Sequence, residues 1–384
     1  MKCIFKLGLI ILNLILLTYV IFKFTGIIVL DLACSNDNRI LPEEHWIKVR
    51  VDPTVELFCT IHRLAKTSVD DTHELPNYIR EIEHYFAPYR NHRAVNMAKK
   101  LWETHRINIS ALSTLVVYLG DPPELIPRNQ LDPLPSELDA RWTVDVIPEF
   151  IEAAREFSRD SEYMVFIDSQ KQLFDRSIMN LIKSLSDKNM LDWFKIYFGY
   201  VPNNYTIIVG MQTGYGNYGA SITRSDGTNE FFSIIGAHSP FFWNGIPRFS
   251  SSWLIPTVAH EFCHPYINPF IAQHKELLKE SGEKLYSYNK AKLTKIGCLA
   301  WNHMMNEYIV RACVIRYFHS KKDNKAVDRQ IRSDENQGFI GIRALADIFE
   351  EYEKNRYKYP NMNSFIPRIA IYLEQYVGSF NDGT

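Results

Sequence analysis

Residues 260–264 read His260-Glu261-Phe262-Cys263-His264. On a helix, residues four apart lie about 40° apart around the axis and one turn along it. Both imidazoles can then reach one ion at the ~2.0–2.1 Å of a zinc–nitrogen bond. Glu261 sits beside the first imidazole and does not reach the same ion easily. It is placed to take a proton from a water on that ion. From Leu254 to Pro265 Glu261 is the only formally charged side chain. A His-Glu-His set on so apolar a helix is costly to bury without a shared partner, and a metal is the economical one. The plainer reading is two core histidines and a surface glutamate.

A catalytic zinc usually takes three protein ligands and leaves one position open. The metzincin extension is missing, because Ile267 and Phe270 stand where its glycine and third histidine would be. His274 is offset by four positions. Glu276, Glu280 and Glu283 lie in the charge-dense stretch Lys275–Lys284 and read as a solvated face. Glu307 differs, being the only formally charged side chain from Cys298 to Val310. A lone carboxylate in such a run must be paired or bound to metal. Arg311, one turn on, offers an i,i+4 ion pair as the plain explanation. His303 shares the face and is the second choice of ligand.

Gly214-Tyr215-Gly216-Asn217-Tyr218-Gly219 matches G-x-G-x-x-G. A dinucleotide site needs a helix N-terminus directly after the glycines. Ala220-Ser221-Ile222-Thr223 follows instead, so the motif reads as a turn between strands that lines a cleft, and no nucleotide is expected.

His260-Glu261-Phe262-Cys263-His264-Pro265 with Asn268-Pro269, then Asn306-Glu307-Tyr308 and Arg311-Ala312, resembles a family of bacterial exported domains of unknown function with gluzincin features. The resemblance runs from about Trp46 to Tyr376. It implies His260, His264 and Glu307 as zinc ligands and Glu261 as catalytic base. Thermolysin-like enzymes place an Asp four residues after the Glu ligand, and here Arg311 stands there. The outer layer of the site must be built differently, with Asn268 or Asn306 as candidates. Arg311, Tyr266 and Tyr308 are the candidate oxyanion donors. Pro265 is expected to bend or stop the helix.

The elements that must position these residues read as α+β and mainly helical. A strand is expected over 46–51 and a helix from Pro53 to about Lys66. Further helices are expected at 78–86, 94–102, 143–158 and 162–186. The Pro-rich segment 121–135 reads as a loop and the best internal boundary. Strands at 205–211, 220–223 and 231–235, with a turn at Asp226-Gly227, predict a small antiparallel sheet. Helices then follow at 254–264, 270–287, 296–319, 338–354 and 363–377. The pattern is zincin-like, a sheet followed by the active helix and a ligand helix. Residues 46–380 are expected to form one unit, mostly helical over 46–200, with the sheet and metal helices over 201–380.

Composition sets outer bounds. The 384 residues carry 43 Lys+Arg against 44 Asp+Glu, which excludes a strongly basic nucleic-acid binder. Six Cys are too few for a disulfide framework, and Cys263, Cys298 and Cys313 read as buried thiols. Lys2 and Lys6 precede an uncharged run from Leu7 to Phe22, which is export chemistry. Residues 1–34 are expected to be a signal peptide or membrane anchor, with Cys34 a candidate for lipidation. The expectation is an exported, membrane-associated zinc peptidase acting on peptide or protein. The alternatives are a surface-anchored binding protein with a structural or inactive zinc site, and a cell-wall peptide amidase.

Overall fold

The computed structural model describes residues 47–67, 75–186, 189–237 and 245–380. Trp46 and the expected export segment with Cys34 lie outside the described residues. Strand β1 (Ile47–Arg50) leads into helices α1 (Pro53–Leu64), α2 (Pro76–Tyr85), α3 (Arg93–His105), α4 (Ile109–Val116), α5 (Val146–Asp160), α6 (Tyr163–Ser169), α7 (Lys171–Ser184) and α8 (Met190–Phe198). Strands β2 (Asn204–Gly210), β3 (Tyr218–Thr223) and β4 (Asn229–Gly236) follow. The chain ends in α9 (Ser251–Gln273), α10 (Lys275–Lys295), α11 (Trp301–Ser320), α12 (Asn324–Gln337), α13 (Ile342–Lys354) and α14 (Met362–Gly378). Among the described residues no helix is long and apolar enough to cross a membrane.

The sheet runs β1-β2-β4-β3 and is mixed, not antiparallel as expected. β1, β2 and β4 are parallel, and only β3 runs against its neighbour β4. The β3–β4 hairpin forms as its turn signal indicates, with Gly227 at φ 84° and the Arg224 N–H donating to the Thr228 carbonyl. What the hairpin signal could not convey is that β4 slots between β3 and β2. The physical cause is burial, since β2 and β4 are buried almost end to end, as inner parallel strands are. β1 pairs through Ile47–Arg50 with Tyr205–Ile208, so the helical first half contributes a strand to the second half's sheet. The segment 121–135 is a loop as expected.

α9 is the other correction. It passes through Pro256, Pro265 and Pro269 and ends only at Gln273. Pro265 has no N–H to bond the Glu261 carbonyl one turn back. That carbonyl instead faces Gly219 of β3, where a Cβ would lie 2.2 Å from the Glu261 oxygen. The apolar flank of α9 packs on the sheet through Phe262 against Tyr205 (ring centroids 5.0 Å) and Tyr266 against Phe231 (4.8 Å). Packing on the sheet carries the helix on through prolines that would otherwise break it. Helices α4, α8 and α12 escape the hydrophobic pattern because they are short or, in α12, charge-dense.

Glu56 ties the first half to the turn that leads into β3. The side chain is fully buried on α1. Its Oε1 accepts from the Met211 N–H at 2.8 Å, and its Oε2 accepts from the Tyr78 hydroxyl at 2.9 Å and the Gln212 amide at 3.0 Å. Burial pushes its carboxyl up to about 7, against those hydrogen bonds. Glu56→Ala should lower stability by about 3 kcal/mol, because it strands buried donors. Between pH 4.5 and about 7 the folded chain holds a proton on Glu56 that the unfolded chain has lost. Stability from this group is therefore greatest below pH 4.5 and is lost as pH rises through about 7. Urea denaturation across that range should show the slope in the wild type and its reduction in Glu56→Gln.

Candidate metal centre

α9 carries His260 and His264 one turn apart, and α11 lies across it with Glu307 facing both. The two Nε2 atoms are 3.1 Å apart. Glu307 places Oε2 3.3 Å from His260 Nε2 and Oε1 3.3 Å from His264 Nε2. Ligand atoms bonded at ~2.0–2.1 Å to a tetrahedral ion are separated by ~3.3 Å. The carboxylate straddles the imidazole pair at about that separation, one oxygen toward each, and one ligand atom from each residue can be chosen with all three within 4.8 Å of one another. Among the described residues these three form the one His/Cys/Asp/Glu group able to hold a metal. His264 Nδ1 lies 3.1 Å from Asn268 Oδ1, which suits an Nδ1–H and leaves Nε2 with its lone pair.

The outer layer is built around Arg311. Its Nε and a terminal nitrogen sit 3.3 and 3.2 Å from Glu307 Oε2, and its other terminal nitrogen donates to Asp334 Oδ1 at 2.5 Å. Asp334, on α12, is fully buried and accepts from the Gln330 amide at 3.0 Å. The guanidinium lies over the Phe339 ring at 4.3 Å. Glu307 thus has both partners that its setting demanded, the arginine and the imidazoles. Burial raises its carboxyl, but His260 and His264 outweigh that and hold it well below the ordinary carboxylate range. Burial pulls both imidazoles down, and it prevails at His260. At His264 the Glu307 carboxylate wins and holds the imidazole up at about 9.

Glu261 lies between β3 and the cleft. Burial pushes its carboxyl up to about 7, and the Gly219 N–H donates to it. The glycine-rich segment is a strand-to-strand turn, as its sequence context indicates, and Asn217 from it lines a cleft of about 480 Å³. His260, Glu261 and Arg311 share that lining with residues of α9, α11 and α12. Two candidate oxyanion donors are turned elsewhere. Tyr266 bonds Tyr205 at 2.5 Å and the Tyr200 carbonyl at 3.2 Å, and Tyr308 donates to the Ile340 carbonyl at 2.6 Å. His303 is exposed, and His274 pairs with Asn363 at 2.8 Å. Glu276, Glu280 and Glu283 are exposed, as the solvated-face reading has it. Of the two candidate asparagines, Asn268 reaches His264, while Asn306 Oδ1 has no hydrogen-bond partner among the described residues. Cys59, Cys263, Cys298 and Cys313 are buried and in no disulfide among the described residues.

A family model described as a domain of unknown function, DUF4932, matches residues 47–371. The chain belongs to this family. No curated protein and no solved structure matches it. In this DUF4932 chain the match spans all four strands and both helices of the cluster.

The sequence reading missed α12, and with it Asp334, Gln330 and one wall of the cleft. A local signal was present. The Asp323 side chain caps the helix at the Ala326 N–H, Gly338 ends it at φ 108°, and Val327, Ile331 and Asp334 repeat on one face. Gly219 was legible only as part of a turn, yet it sets how closely β3 meets α9. Gly219→Ala should cost about 1–3 kcal/mol, because the clash is with backbone that cannot swing aside. Gly378→Ala, whose Cβ would meet nothing within 4 Å, should leave the denaturation midpoint almost unmoved.

Proposed function

We propose that this chain is a zinc-dependent hydrolase of gluzincin type and zincin-like fold, acting on peptide bonds. The observation that carries the reading is the convergence of His260, His264 and Glu307, whose ligand atoms all lie within 4.8 Å of one another. Charge supports it. Three carboxylates, Glu261, Glu307 and Asp334, gather around the single guanidinium of Arg311, an excess of acid beside the imidazoles that suits a cation. The cleft reaching His260 and Glu261 favours a working site over a closed structural one.

His260, His264 and Glu307 would hold Zn2+. When bound, the ion supplies Lewis acidity, polarising a carbonyl and acidifying water. Glu261 accepts the proton from the attacking water and returns it to the leaving amine. Asn268 fixes the His264 tautomer, and Arg311 fixes the Glu307 carboxylate. Arg311 donates one N–H to Glu307 and one to Asp334 and also lines the cleft, which supports a role for its other N–H groups toward a developing oxyanion. β3 antiparallel to β4 at the sheet edge, beside α9, supports its use as the strand that lines up an extended peptide. Lys2 and Lys6 before the apolar run support export with attachment to the membrane.

The purified chain should contain about one zinc. Glu307→Gln should weaken zinc binding at least about tenfold, as loss of even an outer partner can. Glu261→Gln should keep zinc and lose hydrolysis of a peptide library read by mass spectrometry. Equal activity of Glu261→Gln and wild type would turn the assignment to a structural site. A full zinc complement in both His260→Ala and His264→Ala would remove the metal centre. Fractionation should find the chain in the envelope, and a wholly cytoplasmic, soluble pool would sink the export reading.

A further inference from the structure

Beyond the ligand cluster the cleft has two unlike walls. One is apolar and comes from Trp253 and Pro256 of α9 with Val314 and Phe318 of α11. The other is a polar face of α12, with Arg329, Ser333 and Gln337 at intervals of four. The two arginines in the lining stand in different states. Arg311 is committed to Glu307 and Asp334. Arg329 makes no hydrogen bond or ion pair with any described residue. The acids of its own helix do not compensate it. Asp334 is held by Arg311 and Gln330, Asp328 faces Arg343 at 3.3 Å, and Glu335 makes no ion pair with it.

A fork of uncommitted N–H donors beside an apolar wall has a specific complement. It matches a carboxylate carried next to an apolar side chain. The cleft holds about 480 Å³, room for a few residues of peptide and not for a folded surface. We propose that Arg329 is a specificity-determining residue that binds a carboxylate of the peptide, while a neighbouring apolar side chain lies against Trp253 and Phe318. The proposal rests on the peptidase reading in taking this cleft as the substrate's. The carboxylate has two sources, a free C-terminus or an acidic side chain.

The test uses the full chain as Glu261→Gln, loaded with zinc and titrated calorimetrically. Three acetylated tetrapeptides ending in phenylalanine serve as probes: the free acid, its amide, and the amide with glutamate before the phenylalanine. At least one carboxylate peptide should bind about tenfold more tightly than the plain amide. Adding Arg329→Gln should bring the carboxylate peptides to within about twofold of the amide. Tight binding of the free acid alone assigns the C-terminus, and tight binding of the glutamate peptide assigns the side chain. Equal binding of all three, no binding of any, or a difference that survives Arg329→Gln overturns the proposal. Wild-type chain that binds the carboxylate peptide but does not cleave it would sink the peptidase reading and leave the Arg329 site standing. Cleavage of acid and amides alike, unchanged by Arg329→Gln, would do the reverse.

Discussion

The Glu307 carboxylate is the interaction on which the second half of the chain depends. It is largely enclosed between two helices and carries charge there, which is tolerable only if its lone pairs are met. Two imidazoles from α9 and one guanidinium from its own helix meet them. Each of these partners then makes its own demand. The guanidinium needs a second acid, and α12 supplies Asp334. His264 needs its outer nitrogen fixed, and Asn268 supplies an acceptor one turn along α9. A chain of polar satisfaction thus runs from α9 through α11 to α12, inside an otherwise apolar bundle.

The opposite flank of α9 obeys a steric constraint. Pro265 releases the Glu261 carbonyl from the helix ladder, and Gly219 lets β3 approach that carbonyl more closely than any side chain would allow. The same approach brings the Gly219 N–H to the Glu261 carboxylate. One residue's backbone and side chain are therefore both oriented by one glycine. The glycine belongs to a turn whose start is gripped from α1 by Glu56, through Met211 and Gln212. The first half of the chain, which contributes no residue to the cluster, positions Glu261 by this route.

Legibility in the sequence followed the kind of force involved. His260, His264 and Glu307 could be picked out because charge and imidazole stand out in an apolar run, where the cost of burial is high. The hairpin at Asp226-Gly227 and the long helices were legible because turn chemistry and periodicity are local. α12 was not legible, since its few apolar residues are outnumbered by charges and its stability comes from packing on α11 and α13. The course of α9 was misread for a related reason. Proline's local cost is real, but it is outweighed by the aromatic contacts of Phe262 and Tyr266 with the sheet.

The sequence by itself determined the donor set, the helical spacing that aligns two imidazoles, the mainly helical class and the strands of the hairpin. These follow from residue type and from the fixed periods of helix and strand. Only the tertiary structure decided that Arg311 serves both Glu307 and Asp334, that β4 lies between β2 and β3, and that α12 walls the cleft. Each of those is a meeting of residues far apart in the chain. No local pattern encodes such a meeting, because its energy arises only when burial removes the water that would otherwise serve each group.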